Sequence, residues 1–505
     1  MTEMTGARLR TRIDLGLGLA IAILLLLTAV RLAGLAFSRT DLFMDEAQYW
    51  SWSHELAWGY FSKPPLIAWI IRLAEAVCGN GEACIRAASP TLYFATCLTV
   101  YFTARTVYGT VAGFWAALLM SLGTGLIFSS RIISTDVPLA LFWALALLAY
   151  VKLLERESWW WTLALGISLG LGLLAKYAMI YFLLGMLLAA VLDRKGYTVL
   201  CSRQVWVAFG IAMLIVTPHL IWLLQHDWVA LRNVAVTAQT DAGVAFNPLS
   251  ALAFLAAQFV VFGPVIFAIL LYAIGKISLP EEVPGTRIML AFAIPPLAII
   301  SLVALLSRAN ANWAAMSGVS STILAAALLI HHKAWRWLTF CLVLGAVAQV
   351  TAIFADAMAN RISIPFVPAG QSDLYRRTLG SRALADQVGI FADRSGANTI
   401  VGEDRRTVAA LLYYRRNAQQ QVLAWPSSTV PQFDMTRPLT EAAQEPILLI
   451  TECPFQKRLS AQYTTIEQLG EIRAPTGPTS SLYHAVFRLK GAKAVITPLS
   501  KCVPE

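Results

Sequence analysis

Residues 41–60 read Asp41-Leu-Phe-Met-Asp45-Glu46-Ala-Gln-Tyr-Trp50-Ser-Trp52-Ser-His54-Glu-Leu-Ala-Trp58-Gly-Tyr60 and continue into Phe-Ser-Lys63-Pro-Pro. They follow directly on the first long apolar run, which places them at a membrane surface rather than in lipid. Two adjacent carboxylates, Asp45 and Glu46, stand there among Trp50, Trp52, Trp58 and Tyr60. An acidic pair beside an aromatic belt at headgroup level suits chemistry on a lipid-borne substrate. An acidic juxtamembrane loop with interfacial Trp anchors is the competing reading.

Working outward, the chain is 58% hydrophobic and 13% charged, against about 25% charged in soluble domains. It is therefore expected to be an α-helical polytopic membrane protein. The formal charge of +10 does not imply a nucleic-acid partner, because much of the Lys and Arg lies between apolar runs, where it sets orientation. Arg8, Arg10 and Arg12 precede a run without a small-residue cleavage site, which reads as a signal anchor. Apolar runs fall near 15–36, 88–107, 111–129, 136–151, 159–175, 177–192, 204–224, 249–274, 288–306, 313–330 and 336–355. At the ~20 residues a helix needs to cross, they give about 11–13 spans. With the Arg8 end inside, the loops richer in Lys and Arg also fall inside. The Asp45 loop, 131–136, Lys176, 225–248 and 307–313 then all face outward. Segment 64–77 is too short to span and carries Arg72 and Glu75, so it reads as an amphipathic helix at the outer interface.

From about Ile364 the composition turns charged and Pro-rich, and apolar runs shorten to strand length. Strands are expected at 399–402, 421–425, 446–451 and 482–489, with helices at 374–387 and 405–416. The division is a membrane domain over 1–360, with outer juxtamembrane helices near 40–80, and a small outer α/β domain over 361–505. Cys78 and Cys84 share one outer loop, and Cys453 and Cys502 share the outer domain. Two disulfides are open to the chain, Cys78–Cys84 and Cys453–Cys502, with free buried thiols as the alternative for the second pair.

Asp45 is the leading candidate for chemistry, as a base toward an acceptor or as a cation ligand. Glu46 either supports it or favours the positive end of a helix starting here. Asp136, in Arg131-Ile-Ile-Ser-Thr-Asp136-Val-Pro, is the second outer acid. It could converge with Asp45, or belong to a helix start capped by Ser134 or Thr135. Lys63, Arg131, Lys176 and Arg308 supply cations at the depth of a lipid phosphate, although Lys176 could simply snorkel. His54 could act as base or ligand, or be an ordinary loop histidine. Asn312 and Trp313 offer an amide and a stacking face for a sugar, or an interfacial anchor.

Taken together, Asp45-Glu-Ala-Gln-Tyr, Gly59-Tyr60-Phe-Ser-Lys-Pro-Pro-Leu-Ile-Ala-Trp69, Asp136, Leu-Ala-Lys176-Tyr and Asn312-Trp313 resemble the membrane glycosyltransferases of family 39, in the GT-C class. That group includes protein O-mannosyltransferases and lipid A aminoarabinose and galacturonic acid transferases. The resemblance implies inverting transfer of a sugar from a polyprenyl-phosphate carrier to an envelope acceptor at the periplasmic face of the bacterial inner membrane. It implies that Asp45 is the catalytic aspartate and Asp136 the second-loop acid. Lys63 and Lys176 would lie near the donor phosphate; Tyr60, His54, Asn312 and Trp313 are candidates for substrate contact on their position and chemistry alone. Relatives of the aminoarabinose enzyme carry Glu before Lys-Pro-Pro where this chain has Ser62, which removes a metal-binding carboxylate. No obligatory metal is therefore expected, with a divalent cation still permitted, and a monomer is expected. The acceptor stays open between lipid A, lipopolysaccharide core, another glycolipid and a protein Ser or Thr. A secondary transporter is the rival from another class, disfavoured because the acids lie at span ends and no repeated half is found.

Overall fold

The computed structural model describes residues 2–237, 246–365, 367–368, 372–427, 431–452, 456–493 and 496–498. In chain order the helices are α1 (Thr2–Ala36), α2 (Met44–His54), α3 (Leu66–Cys78), α4 (Glu82–Tyr108), α5 (Thr110–Ser121), α6 (Thr124–Ser129) and α7 (Asp136–Glu155). They continue with α8 (Trp159–Ala175), α9 (Ile180–Leu192), α10 (Arg194–Leu200), α11 (Arg203–Gln225), α12 (Val229–Thr237), α13 (Pro248–Val261) and α14 (Pro264–Gly275). The last are α15 (Thr286–Leu306), α16 (Ser317–His331), α17 (Trp335–Ala357), α18 (Ser381–Ser395), α19 (Arg405–Tyr414), α20 (Gln432–Thr436) and α21 (Gln456–Gln462). Contacts group the chain into two units. The larger takes Met1–Ala36, Ala57–Gly79 and Ala83–Ile353, and the smaller takes Phe37–Leu56, Asn80–Glu82 and Phe354–Glu505.

Among the described residues, the regular secondary structure of the larger unit is helical. By length and composition, five segments among the described residues are long and apolar enough to cross a membrane: Gly16–Ala36, α7, α11, α15 and α17. Six shorter apolar helices accompany them. Every apolar run in the sequence is largely helical, those at 177–192 and 313–330 opening on a 3-10 turn, but two runs are broken into separate α-helices. The run at 249–274, expected as one span, is α13 and α14. Gly263 between them adopts φ +89°, a left-handed backbone that Gly enters freely, and Pro264 starts the next helix. Likewise 111–129 divides into α5 and α6 at Leu122-Gly123. The break after α13 leaves carbonyls without helical partners, and the Thr124 hydroxyl donates to that of Val260. Such internal satisfaction is what a backbone interruption needs in an apolar setting.

Close helix approach depends on glycine. Gly166 and Gly170, one turn apart on α8, face Ile211 and Ile215 of α11, and a Cβ on Gly170 would lie 2.8 Å from the Ile215 Cβ. Small residues at such spacing let apolar helices pack by contact where no hydrophobic drive separates helix from lipid. On α1, the buried Arg31 donates to the Gln349 side chain of α17 at 2.8 Å and to the Ser121 carbonyl of α5. As expected, 64–77 forms an amphipathic helix, α3. Cys78 at its end is disulfide-bonded to Cys84 in α4. Cys97, Cys201 and Cys341 are free thiols, whereas Cys453 and Cys502 lie outside the described residues.

The smaller unit carries a five-stranded sheet of β1 (Thr399–Gly402), β2 (Gln421–Ala424), β3 (Ile447–Thr451), β4 (Tyr463–Pro475) and β5 (Ser481–Ala492), ordered β2-β1-β3-β5-β4. β1 pairs in parallel with β2 and β3, and β5 pairs antiparallel with β3 and β4. Its core centres on Val401, Leu423, Trp425, Leu449 and Phe487. The helix expected at 374–387 begins only at Ser381, after Gly380 in a left-handed conformation. β4 was not expected, because its burial alternates weakly and most of its side chains meet solvent.

Replacing Gly170 with Val should drive α8 off Ile215. Overpacking of this kind costs about 1–3 kcal/mol, so a lower thermal midpoint of the detergent-solubilised protein is expected. An unchanged midpoint would contradict the packing described.

Candidate active site

In the larger unit, three polar residues far apart in sequence meet. Asp136 is the first residue of α7. Thr135 occupies the position before it but makes no side-chain cap, so the capping role considered for Thr135 is not realised. The Asp136 carboxylate instead accepts from Lys176 Nζ at 2.6 Å and from Asn312 Nδ2 at 3.0 Å. Lys176 ends α8 in an extended conformation (φ −161°) before the turn Tyr177–Met179, which directs its side chain away from the helix. Asn312 lies in the 3-10 turn Ala311–Ala314 that precedes α16. The Lys176 and Asp136 side chains are only 19% and 14% exposed, so their attraction is less screened than at an open surface. A cation and an amide fixed on one carboxylate make a polar floor suited to an anionic or hydroxyl-rich ligand.

Several neighbours were missed from sequence. Gln258 of α13, fully buried, donates to the Ala311 carbonyl at 3.2 Å and so holds the Asn312 turn. His219 of α11, also buried, bonds through Nδ1 to the Trp58 carbonyl at 2.7 Å and through Nε2 to the Tyr177 hydroxyl at 3.0 Å. It therefore ties segment 57–65 to the residue after Lys176. Gly59 lies against the Trp222 ring, leaving no room for a Cβ. Tyr60 is buried and its hydroxyl accepts from the Ala57 N–H at 3.1 Å. Lys63 and Trp313 are half-buried, and Arg131 lies 5.7 Å from the centre of the Phe128 ring. Arg308 is exposed and makes no ion pair among the described residues.

The remaining candidates belong to the smaller unit, on α2. Glu46 is fully buried, and its Oε2 accepts from the Phe43 N–H at 2.9 Å. That closes the start of α2, the helix-end role considered for it. The His54 ring lies 4.3 Å from that of Trp50, tilted by 46°, and its Nδ1 lies 3.1 Å from the Trp50 carbonyl. Asp45 Oδ1 accepts from Arg405 Nη2, and Arg405 Nε donates to Gln48. Arg405 was read only as the start of a helix. With 360 residues between the partners, no local pattern links them.

Among the described residues one group has metal-ligand chemistry: Asp404, Glu452 and His484, with ligand atoms within 4.8 Å of one another. Asp404 is already engaged, its Oδ1 accepting from the N–H groups of Arg406 and Thr407 to cap α19. His484 Nε2 pairs with the Thr407 hydroxyl at 3.1 Å. Burial, only partly offset by the charge of Asp404, pulls the His484 pKa below its ordinary 6.5. The native state therefore resists a proton that the unfolded chain accepts. The stabilisation is complete above pH 6.5 and is lost as pH falls below it.

The family profile described as dolichyl-phosphate-mannose-protein mannosyltransferase matches residues 62–222. The chain is 33% identical over 407 residues to the lipid A galacturonosyltransferase RgtD of Rhizobium johnstonii, covering 80% of this chain and 84% of that one. To the lipopolysaccharide core galacturonosyltransferase RgtB of the same organism it is 26% identical over 262 residues, 50% of this chain and 53% of that one. The crystal structure of ArnT from Cupriavidus metallidurans bound to undecaprenyl phosphate superposes with a TM-score of 0.65 at 14% identity, covering 94% of this chain and 99% of that one. Fold and relatives together define a multi-pass membrane glycosyltransferase of the GT-C class. Within that class, the chain belongs to glycosyltransferase family 39.

Replacing Lys176 with Ala leaves Asp136 with the Asn312 amide alone. Loss of one preorganised electrostatic group typically costs about 10²-fold in turnover, the drop expected in a purified transfer assay, with a smaller one for Asn312→Ala. For the smaller unit, thermal melts between pH 6.5 and about pH 5 should show a falling midpoint that His484→Asn flattens.

Proposed function

We propose that this enzyme moves a galacturonic acid residue from a polyprenyl-phosphate carrier to lipid A, on the periplasmic face of the bacterial inner membrane. The observation that carries this reading is the 33% identity to a lipid A galacturonosyltransferase across four-fifths of the chain. It is supported by the gathering of Asp136, Lys176 and Asn312, three residues that sequence reasoning had selected separately. The ArnT fold, seen with undecaprenyl phosphate bound in that protein, accommodates a carrier of the same kind.

In this reading an acceptor hydroxyl oxygen attacks the anomeric carbon, and the bond from that carbon to the phosphate oxygen breaks. The bonding pair leaves with the polyprenyl phosphate, and the configuration inverts. Asp45 takes the hydroxyl proton. Lys63 and Lys176 are the proposed counter-charges for the leaving phosphate, with Asp136 holding Lys176 in place. Because the phosphate leaves as a stable anion beside fixed cations, no obligatory metal enters the proposal. The enzyme works as a monomer, with the smaller unit in the periplasm.

A deletion strain should lose a uronic acid residue from lipid A by mass spectrometry. The wild-type gene should restore it, and Asp45→Asn or Asp136→Asn should not, at equal protein level. Transfer by the purified enzyme should survive chelation. Unchanged lipid A with an altered core glycan would move the acceptor to lipopolysaccharide core. Unchanged envelope glycans throughout would reject the reading.

A further inference from the structure

Arg405 opens α19 where the sheet of the smaller unit reverses direction. The chain leaves β1 through α19 to reach β2 on one side, whereas β3 pairs on the other side of β1. In α/β sheets, groups gathered at the carboxyl ends of strands beside such a reversal commonly serve a binding site. Here the side chain that starts the helix reaches α2. Its Nη2 donates to Asp45 Oδ1 and its Nε to Gln48 Oε1, two acceptors three residues apart on one face of α2. A guanidinium fits this task because its donors are fixed in one plane.

The same helix holds α2 again at its far end. The Tyr413 ring meets Trp50 edge-on at 5.0 Å, and its hydroxyl donates to the Asn80 carbonyl at 2.8 Å. The Tyr414 hydroxyl accepts from the Leu42 N–H at 2.8 Å. Held by Arg405 near its start and by the Tyr413 ring against Trp50 near its end, α2 has little freedom to rotate about its axis. Among the described residues, Oδ1 is the Asp45 oxygen that is hydrogen-bonded, which leaves Oδ2 to receive a proton. Arg405 cannot compete for that proton, since guanidinium has no acceptor.

We propose that Arg405 is a positioning residue for Asp45, fixing the rotation of its carboxylate so that one oxygen is held and the other is presented to the acceptor hydroxyl. This inference rests on the reading of Asp45 as the base, and it makes the C-terminal sheet domain part of the catalytic apparatus.

The test uses the full-length enzyme with polyprenyl-phosphate-linked galacturonic acid and lipid A. A misplacement of about 1 Å can cost about 10²-fold in rate, so Arg405→Ala should lower kcat about 10²-fold. KM for both substrates should stay within about twofold, since the loss concerns orientation rather than binding. Added guanidinium should restore part of the rate to Arg405→Ala and none to Asp45→Asn. Tyr413→Phe keeps the ring against Trp50 and removes only the hydroxyl's bond to the Asn80 carbonyl, outside α2, so it should retain wild-type kcat. Should Arg405→Ala not fold, Arg405→Lys serves in its place, keeping one donor group and an intermediate kcat. Wild-type kcat in Arg405→Ala or Arg405→Lys, with Asp45→Asn inactive, overturns the positioning role alone. Loss of activity in Arg405→Ala without guanidinium rescue, matched by Tyr413→Phe, reduces Arg405 to a strut. An active Asp45→Asn removes the base reading itself.

Discussion

The ion pair of Lys176 and Asp136 marks where α7 begins and α8 ends, and much of the larger unit is arranged to keep it intact. Charges in a membrane protein are tolerated where they pair or reach water. This pair does both, at span ends and with partial exposure. Its setting is built by neighbours without charge of their own. The glycine face of α8 admits α11, and the extended backbone at Lys176 releases its side chain from the helix. Gln258 holds the turn from which Asn312 reaches the same carboxylate. The polar groups are few, and each is fixed by packing or hydrogen bonding from elsewhere in the unit.

The smaller unit organises its carboxylates by a different rule. There the β1–α19–β2 crossover places a helix start beside α2, and hydrogen bonds rather than apolar packing set the geometry. Asp404 caps α19, His484 braces Thr407, and Arg405 is left to reach outward. Segment Phe37–Leu56 joins this unit although about 300 residues separate it from Phe354. The stretch that carries Asp45 is thus held by the sheet domain, not merely followed by it.

Much of this was legible in the sequence, for physical reasons that also explain the failures. Helix positions followed from apolar run length, because lipid forces the backbone to satisfy itself. Division of 249–274 was signalled by Gly263-Pro264, but apolar composition on both sides concealed it. Asp136, Lys176 and Asn312 could be selected because each is polar at the edge of an apolar run. Their contact could not, since nothing local encodes a meeting between residues 136 and 312. Arg405, His219 and Gln258 escaped notice for the same reason. A histidine or glutamine inside a hydrophobic helix shows that a partner exists without saying which. Glu46 could be read either as chemistry or as a helix start, and the second role is visible in its bond to the Phe43 N–H.

The link between Cys78 and Cys84 has a consequence for how the protein matures. It ties the last residue of α3 to the start of α4 through a ring of a few residues. Thiols in a reducing cytosol stay apart. On the proposed periplasmic placement, the junction is sealed only after this part of the chain has crossed to an oxidising compartment. On that placement the geometry of the α3–α4 junction depends on delivery across the bilayer as well as on sequence, and a chain retained on the reducing side would lack that closure.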